Sequence, residues 1–579
     1  MTVNRRAWLK LAAVTAGTAG ACGVGQTAAA APGAVRSPPP QATAIVDATG
    51  SGHDYRPAID ALRHYIDQHL AGYGVPGMTL SLSDAEGFSA VISAGWSDVE
   101  RRVPVTPAHL FQIGSISKSF VGLGILRLAD AGRLSLDAEI GALLPGLALA
   151  DGQRITVRHL LTHSSGLPAD APLFPRGGDG LLWRGFEPGA QFSYSNIGYA
   201  ILGELTANLT GLTYHEALTQ HVLQPLGLGE VLPRIRGADQ ARYTVSYAPY
   251  YGDRPFARLG RLGVAPWIDL SEASGCMAAT SRQMARYVRW LIAAGAGQGA
   301  PLLSETSRRL FTSPAIPAAE FGPKAQYAFG LAIVPVDDHA CLHHTGGMVS
   351  FSSAITVDPA AGVGAFASVN ARAEDDYRPR EVTAYAIRLM RAVREGRPLP
   401  APPPIPSATK IDNPRDLAGR YRTHAGEVAD LAVAGDGLAL VHAGVTRALQ
   451  PAGEGVFTAV GPGDETFGLV IQRAGAGAVS VAWGEAVFTP DGAATAATPP
   501  ELARLAGVYD SNIPWTGQVE VVARAGGLWL GGTTPLVALP DGGFRIGLEP
   551  WSPERARFDG DLNGRPQRLN VSGVDFVRV

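Results

Sequence analysis

The sequence predicts a mixed α/β protein: an antiparallel sheet flanked by helices, followed by two small antiparallel β units, each a barrel or a sandwich. Three observations carry this. Helical and alternating patterns interleave as far as about residue 395, a proline-rich stretch at 399–414 interrupts them, and short alternating runs that repeat once take over beyond it. In the repeat, Leu417-Ala418-Gly419-Arg420-Tyr421 returns as Leu505-Ala506-Gly507-Val508-Tyr509. Gly437-Leu438-Ala439-Leu440 returns as Gly527-Leu528-Trp529-Leu530, and Phe488 as Phe576, all at spacings of 88 to 90 residues. The expected division is an export signal (1–30), a flexible leader (31–50), the α/β domain (51–398), a linker (399–414) and two β units (415–498 and 499–579).

The first 21 residues pair Arg5 with Arg6, follow them with Trp8-Leu9-Lys10, and continue in a moderately apolar run, as a twin-arginine export signal does. Ala28-Ala29-Ala30 offers a cleavage site, which predicts a periplasmic or secreted protein. The rival reading, a lipoprotein processed at Cys22, lacks the aliphatic residue expected three positions earlier, where Ala19 stands. No later run is long and apolar enough to span a bilayer. A net charge of −3 with no basic excess argues against a nucleic-acid partner. Beyond the signal only Cys276 and Cys341 remain, read as two buried thiols rather than a pair.

Within the α/β domain, Ile59, Leu62, Tyr65, Ile66 and Leu70 recur at helical spacing, with Gly72 and Gly74 as stops. GMTLSLSDAEGFSAVISAG alternates and turns like a hairpin. A helix then opens near Ser117, with Phe120, Leu123, Leu126 and Leu128 largely on one face. After a long helical and loop-rich stretch come three strand-like runs, YAFGLAIVP, SFSSAITVD and VGAFASVN, and a closing helix, REVTAYAIRLMRAVREG.

Three short motifs carry chemistry. Ser115 precedes Lys118 by one helical turn at the mouth of the Ser117 helix. The whole chain holds four lysines, Lys10, Lys118, Lys324 and Lys410, against abundant arginine. A lysine here matters because it can shed its proton when buried, which an arginine cannot. Unpaired N–H groups at the helix start would favour an oxyanion on a carbonyl attacked by Ser115. In FSYSNIGYA, Tyr194 and Asn196 stand at alternate positions of an extended or tight loop, so a phenol and an amide would point into one site. In HHTGGMVSF, Gly346 and Gly347 would let a strand edge approach a substrate, and His344 would hydrogen-bond the Tyr194 phenol or a substrate group. The Gly347 N–H would join that of Ser115 as an oxyanion donor. Singly, each motif has a plainer reading: a helix cap beside a solvated lysine, a buried tyrosine beside a turn asparagine, a glycine turn beside a surface histidine.

Taken together and in this order, S-x-x-K, Y-x-N and H-x-G resemble the serine β-lactamase and penicillin-binding-protein family. The class C β-lactamases, the related esterases and the D-aminopeptidases are the nearest branches. VPGMTLSLSDAEG, LFQIGSISKSF, ITVRHLLTHSSGLP, FSYSNIGYAILGELTANLTG and SGCMAATSRQMARYVRWL look like that family's segments in its order, over roughly residues 57–395. The resemblance implies a β-lactamase/transpeptidase-like domain and a serine hydrolase forming an acyl-enzyme on Ser115. Lys118 and Tyr194 would move the proton, Asn196 would orient the substrate amide or hold Lys118, and Ser115 and Gly347, flanked by Thr345 and Gly346, would form the oxyanion and substrate-binding strand. It implies no metal and no cofactor, and a small-molecule or short-peptide substrate carrying an ester or amide, D-amino-acid-containing peptides among them. One departure narrows it: β-lactamases and cell-wall carboxypeptidases usually carry lysine where this chain has His344, so a substrate carboxylate would be held more weakly and the esterase and aminopeptidase branches are favoured. Alternatives are a carboxylesterase without peptidase activity, a β-lactamase, cell-wall D,D-peptidase or penicillin binder, and an acyltransferase or peptide cyclase using the same acyl-enzyme. His163, in LLTHSSGLP, reads as a structural loop histidine satisfied by backbone.

Overall fold

The computed structural model describes residues 42–47, 52–150, 154–175, 180–250, 255–298, 302–372, 377–460, 467–474, 477–511 and 517–579. The expected export signal lies outside these residues. So does most of the expected leader, but Thr43–Asp47 within it forms strand β1, paired with β3 from Thr43↔Ser93 to Asp47↔Ser89. That pairing covers the open edge of β3 and makes this part of the leader sheet rather than loose chain.

The main sheet is antiparallel, in the order β1-β3-β2-β7-β6-β5-β4. Its further strands are β2 (Gly77–Asp84), β3 (Ser89–Asp98), β4 (Ala332–Val336), β5 (His339–Gly347), β6 (Ser352–Asp358) and β7 (Val363–Val369). The hairpin and the last two runs form as expected, but YAFGLAIVP folds back on itself, Tyr327 pairing with Ala332, so only its second half lies in β4. β5 was not among those runs, because His343-His344-Thr345-Gly346-Gly347 lacks apolar alternation; it is a strand because β4 and β6 pair with it on either side.

Every residue of β2, β6 and β7 is buried, since helices cover both faces of the sheet. α1 (Arg56–Tyr73) passes through Gly72 and stops at Gly74. It lies with the closing helix on one face, Leu62 and Ile66 meeting Leu80, Leu82, Ala365 and Ala367. On the other face, Met284, Val288 and Leu291 of a helix at Ser281–Gly295 meet Ile355, Val357 and Phe366. Ala365, Phe366 and Ala367 thus face alternately, at the two-residue period of a strand.

α2 (Ser117–Asp130) departs from its one-faced expectation: it is buried without a break from Ser117 to Leu126. It runs through the middle of the helical region, where α3 (Asn196–Thr210) and neighbouring turns pack around it. In chain order the remaining long helices are α4 (Ser281–Gly295) and α5 (Arg380–Arg394).

Residues 399–414 do not hang free. Leu399 and Ile405 pack into the core between α1 and α5, and the Tyr385 hydroxyl donates to the Pro400 carbonyl at 3.2 Å. Beyond them stand two eight-stranded antiparallel units. The first, from Gly419–Arg422 to Ala486–Phe488, closes through two bonds, Arg422 N–H to Thr489 O and Thr489 N–H to Arg422 O, both 2.8 Å. The second, from Gly507–Asp510 to Val574–Arg578, is a closed barrel. The repeat is visible in one bond per copy: the Tyr421 hydroxyl donates to Leu417 O at 2.8 Å, and that of Tyr509 to Leu505 O at 2.7 Å. At the joint, the buried Arg524 guanidinium donates to Gly484 O of the first unit and Gly532 O of the second, both at 2.6 Å.

Candidate active site

Ser115 sits in a 3-10 turn, Gly114–Ile116, that leads into α2. Ile116 is the N-cap of α2 and no side chain caps it, so Ser115 is not spent as a helix cap. Lys118, one turn on, is fully buried, which removes the reading of a solvated lysine. Its Nζ lies 3.1 Å from Ser115 Oγ, 2.6 Å from Asn196 Oδ1 and 2.5 Å from Ser274 O. The rings of Tyr194 and Tyr199 lie 4.9 and 5.5 Å away.

Tyr194 and Asn196 reach the same site because Ser195 between them is extended, at φ −140° and ψ 112°. Asn196 then opens α3, with the Ser195 hydroxyl as its cap, accepting from Gly198 N–H. The Asn196 amide has a determined orientation: its Nδ2 donates to Asp170 Oδ1 at 2.6 Å, which turns its oxygen to Lys118.

Burial drives the electrostatics. It brings the Lys118 amine down to about 7, against the opposing pull of Asp170, Glu272 and Cys276. The same burial pushes the Asp170 carboxyl up to about 7, and Glu272 upward. All three groups are moved toward their neutral forms, as a dry site requires. The Tyr194 hydroxyl lies beside Ser115, is buried without a hydrogen bond of ordinary geometry, and is pushed well above the usual phenol range chiefly by burial.

Strand β5 lies against the turn that carries Ser115. A Cβ on Gly346 would collide with Ile113 O and Ser353 Oγ, so only glycine permits this approach. Met348 N–H donates to Phe351 O at 2.9 Å, and the alternation of an antiparallel ladder therefore turns the Gly347 N–H away from β6. It faces Gly114: a Cβ there would come within 2.5 Å of Gly347 N. Gly114 itself has φ +55°, which favours glycine.

His344 departs from its expected contact. Its Nδ1–H donates to Thr345 O at 2.7 Å, leaving Nε2 to accept from the Tyr327 hydroxyl at 3.1 Å. Its ring centroid is 6.2 Å from that of Tyr194, and the expected bond to the Tyr194 phenol is replaced by the one to Tyr327. A carbonyl can only accept, so Nδ1 carries a proton, and a neutral ring here is the Nδ1–H tautomer.

His163 is more than a backbone-satisfied loop residue. It holds a left-handed φ of 54° and is fully buried. Its Nδ1 accepts from Ser195 N–H at 3.0 Å and its carbonyl accepts from Ser193 N–H at 2.8 Å, so it grips the chain on both sides of Tyr194. Its ring stacks on that of Tyr194 with centroids 4.2 Å apart. Asp170, Glu272, Ser274 and Tyr327 were not anticipated either. Asp170 stands two residues after LLTHSSGLP, and Glu272 and Ser274 open the SGCMAATS segment, so nearness to those motifs was the available signal. Cys276 and Cys341 are both buried and free. No described helix is long and apolar enough to cross a membrane.

The beta-lactamase family profile matches residues 62–389. The chain is similar to penicillin-binding protein 4 of Amycolatopsis lactamdurans, 30% identical over 258 residues, which are 41% of this chain and 65% of that one. It is similar to Protein flp of Staphylococcus aureus strain MW2, 33% identical over 150 residues, 23% of this chain and 30% of that one. It therefore spans less than two thirds of the length of either relative. In fold it is similar to the octameric penicillin-binding protein homologue from Pyrococcus abyssi, with a TM-score of 0.51 and 23% identity, covering 74% of this chain and 99% of that one. With the profile matched over more than half its length, the chain belongs to the beta-lactamase family, a family of serine hydrolases.

Proposed function

We propose that the protein is an exported serine hydrolase that forms an acyl-enzyme on Ser115 and hydrolyses a small ester or amide, D-amino-acid-containing peptides included. One observation carries the reading: a fully buried Lys118 amine, brought down to about 7, lies 3.1 Å from the Ser115 hydroxyl.

A neutral amine has two N–H donors and one lone pair. Asn196 Oδ1 and Ser274 O, at 2.6 and 2.5 Å, take the two donors, and the lone pair is left for the Ser115 hydroxyl. Lys118 then accepts the Ser115 proton as Oγ attacks the carbonyl carbon. Oxyanion stabilisation falls to the N–H groups of Ser115 and Gly347. Tyr194 keeps its proton near neutral pH, so it serves as relay: it passes its proton to the leaving group while taking the Ser115 proton from Lys118, and water, as it cleaves the acyl bond, returns a proton to Ser115 by the same route. His344 and Thr345 shape the strand along which the substrate lies.

A neutral His344 favours substrates without a carboxylate beside the scissile bond. A second reading, a D,D-peptidase or penicillin binder, has one observation in its favour: the Arg378 guanidinium lies against Gly347, where an added Cβ would collide with it. Turnover of a D-alanyl anilide and a short-chain acyl ester, with Ser115→Ala as control, tests the proposal. Cleavage of either that vanishes in Ser115→Ala supports it, and the preferred substrate names the branch. Wild-type cleavage that survives in Ser115→Ala would refute the acyl-enzyme. Export is tested by replacing Arg5 and Arg6 with lysine, which should leave the precursor in the cytoplasm.

A further inference from the structure

The second barrel meets the catalytic domain through Glu554, next to the residues that hold Lys118. Glu554 Oε1 accepts from the backbone N–H of Ala169 at 2.9 Å. The Ser572 hydroxyl steadies the same carboxylate, donating to Oε2 at 2.6 Å. Ala169 is the residue before Asp170, and its carbonyl accepts from Asn196 N–H at 2.6 Å and Ile197 N–H at 3.2 Å, two of the unpaired donors at the start of α3. The next residue, Asp170, holds the Asn196 side chain, which in turn holds Lys118. The Ala169 N–H and C=O belong to successive peptide planes, so hydrogen bonds on both pin the two torsions between them and set where Asp170 begins. Around this contact the interface is ordinary packing: Trp183 Nε1–H donates to Pro553 O at 2.6 Å, and Phe186 meets Trp551 edge-on at 5.8 Å.

We infer that Glu554 is a positioning residue for the catalytic amine: through Ala169 and Asp170 it holds Asn196 against Lys118, which makes the second barrel part of the catalytic unit. The contact is a charge-assisted hydrogen bond from a backbone N–H to a carboxylate, stronger than one between neutral groups. The inference rests on Lys118 being the base.

Three variants of the full chain separate positioning from docking. Glu554→Ala removes the acceptor. Glu554→Gln keeps an amide oxygen for Ala169 N–H. Trp183→Phe removes another bond of the same interface and leaves Ala169 alone. Glu554→Ala should lower kcat by about ten- to a hundredfold with KM within about threefold, because displacement of a catalytic group costs rate more than binding. Glu554→Gln should recover most of that loss, and Trp183→Phe should match the wild type.

A second measurement needs no substrate. With lysines only at positions 10, 118, 324 and 410, lysine-labelled NMR resolves the Lys118 amine, assigned through Lys118→Met. Its titration, shared with the groups that face it (Asp170, Glu272, Cys276, Tyr194, Tyr199 and His163), should move by about half a pH unit or more in Glu554→Ala and stay put in Trp183→Phe. An unchanged kcat and an unchanged Lys118 titration in Glu554→Ala would overturn the inference. So would equal losses in Glu554→Ala and Trp183→Phe, or a Glu554→Gln variant as damaged as Glu554→Ala. A Lys118 titration that moves in a chain without turnover would sink the hydrolase reading and leave the positioning intact.

Discussion

Replacing Lys118 by arginine tests the proposed chemistry most directly. Burial carries the lysine from its ordinary 10.5 to about 7, a bias toward the neutral amine of ~5 kcal/mol. At pH 7.5 roughly three quarters of the molecules then hold a free lone pair beside Ser115. An arginine in the same place stays above about 12, and its neutral fraction at that pH falls to on the order of one in a hundred thousand. General-base catalysis of this kind contributes about a hundred- to ten-thousandfold, so Lys118→Arg should cut kcat/KM by ~10³. In the wild type kcat/KM should rise with pH through about 7, and that limb should vanish in the variant. Stopped-flow acylation with a chromogenic ester from pH 5 to 9 reads both. A variant within tenfold of the wild type, or a wild-type profile flat across that range, would refute the assignment of Lys118 as base.

Three further outcomes follow from the same structure. Asp170 binds its proton with a folded value of about 7 against an ordinary 3.8, so the native state holds more protons than the unfolded chain between those values and this contribution to stability is lost as pH rises through them. The unfolding free energy of Asp170→Asn relative to wild type, from urea titrations, should therefore climb from pH 4 to 7, by at most ~4 kcal/mol, then level; a difference independent of pH would contradict it. Gly114→Ala should lower the acylation rate by about a hundredfold, since its Cβ would displace Gly347 N and its φ of +55° would strain any other residue; titration with an active-site serine probe measures this. Phe120 is fully buried and stacks on Tyr287 with centroids 4.1 Å apart, so Phe120→Ala should cost about 3–5 kcal/mol in urea unfolding.

The residues of the candidate site were legible because each motif is local in the chain. Ser115 and Lys118 are one turn apart and Tyr194 and Asn196 two residues apart, so spacing carries each pair to one face, while His344 to Gly347 are consecutive along one strand edge. The β repeat was legible for the same reason, since each copy keeps its Leu-to-Tyr bond within five residues. The full length of strand β5 was not: only its glycine edge read as strand, because the rest alternates poorly and is ordered by its neighbours. The bond His344 makes was misjudged because Tyr194 and Tyr327 are both phenols and only packing chooses between them.

By itself, then, the sequence determined the kind of chemistry, the order of the elements and the two-barrel tail, all of which are written in short-range spacing and composition. Tertiary structure decided which groups work together. Asp170, Glu272 and Ser274 lie dozens to more than a hundred residues from Lys118 in the chain, yet the first two pull against the burial that lowers its amine and the third accepts its hydrogen bond, because such forces act through space. Glu554 meets Ala169 across 385 residues of chain. No periodicity records such a contact, since it depends on how two finished domains dock.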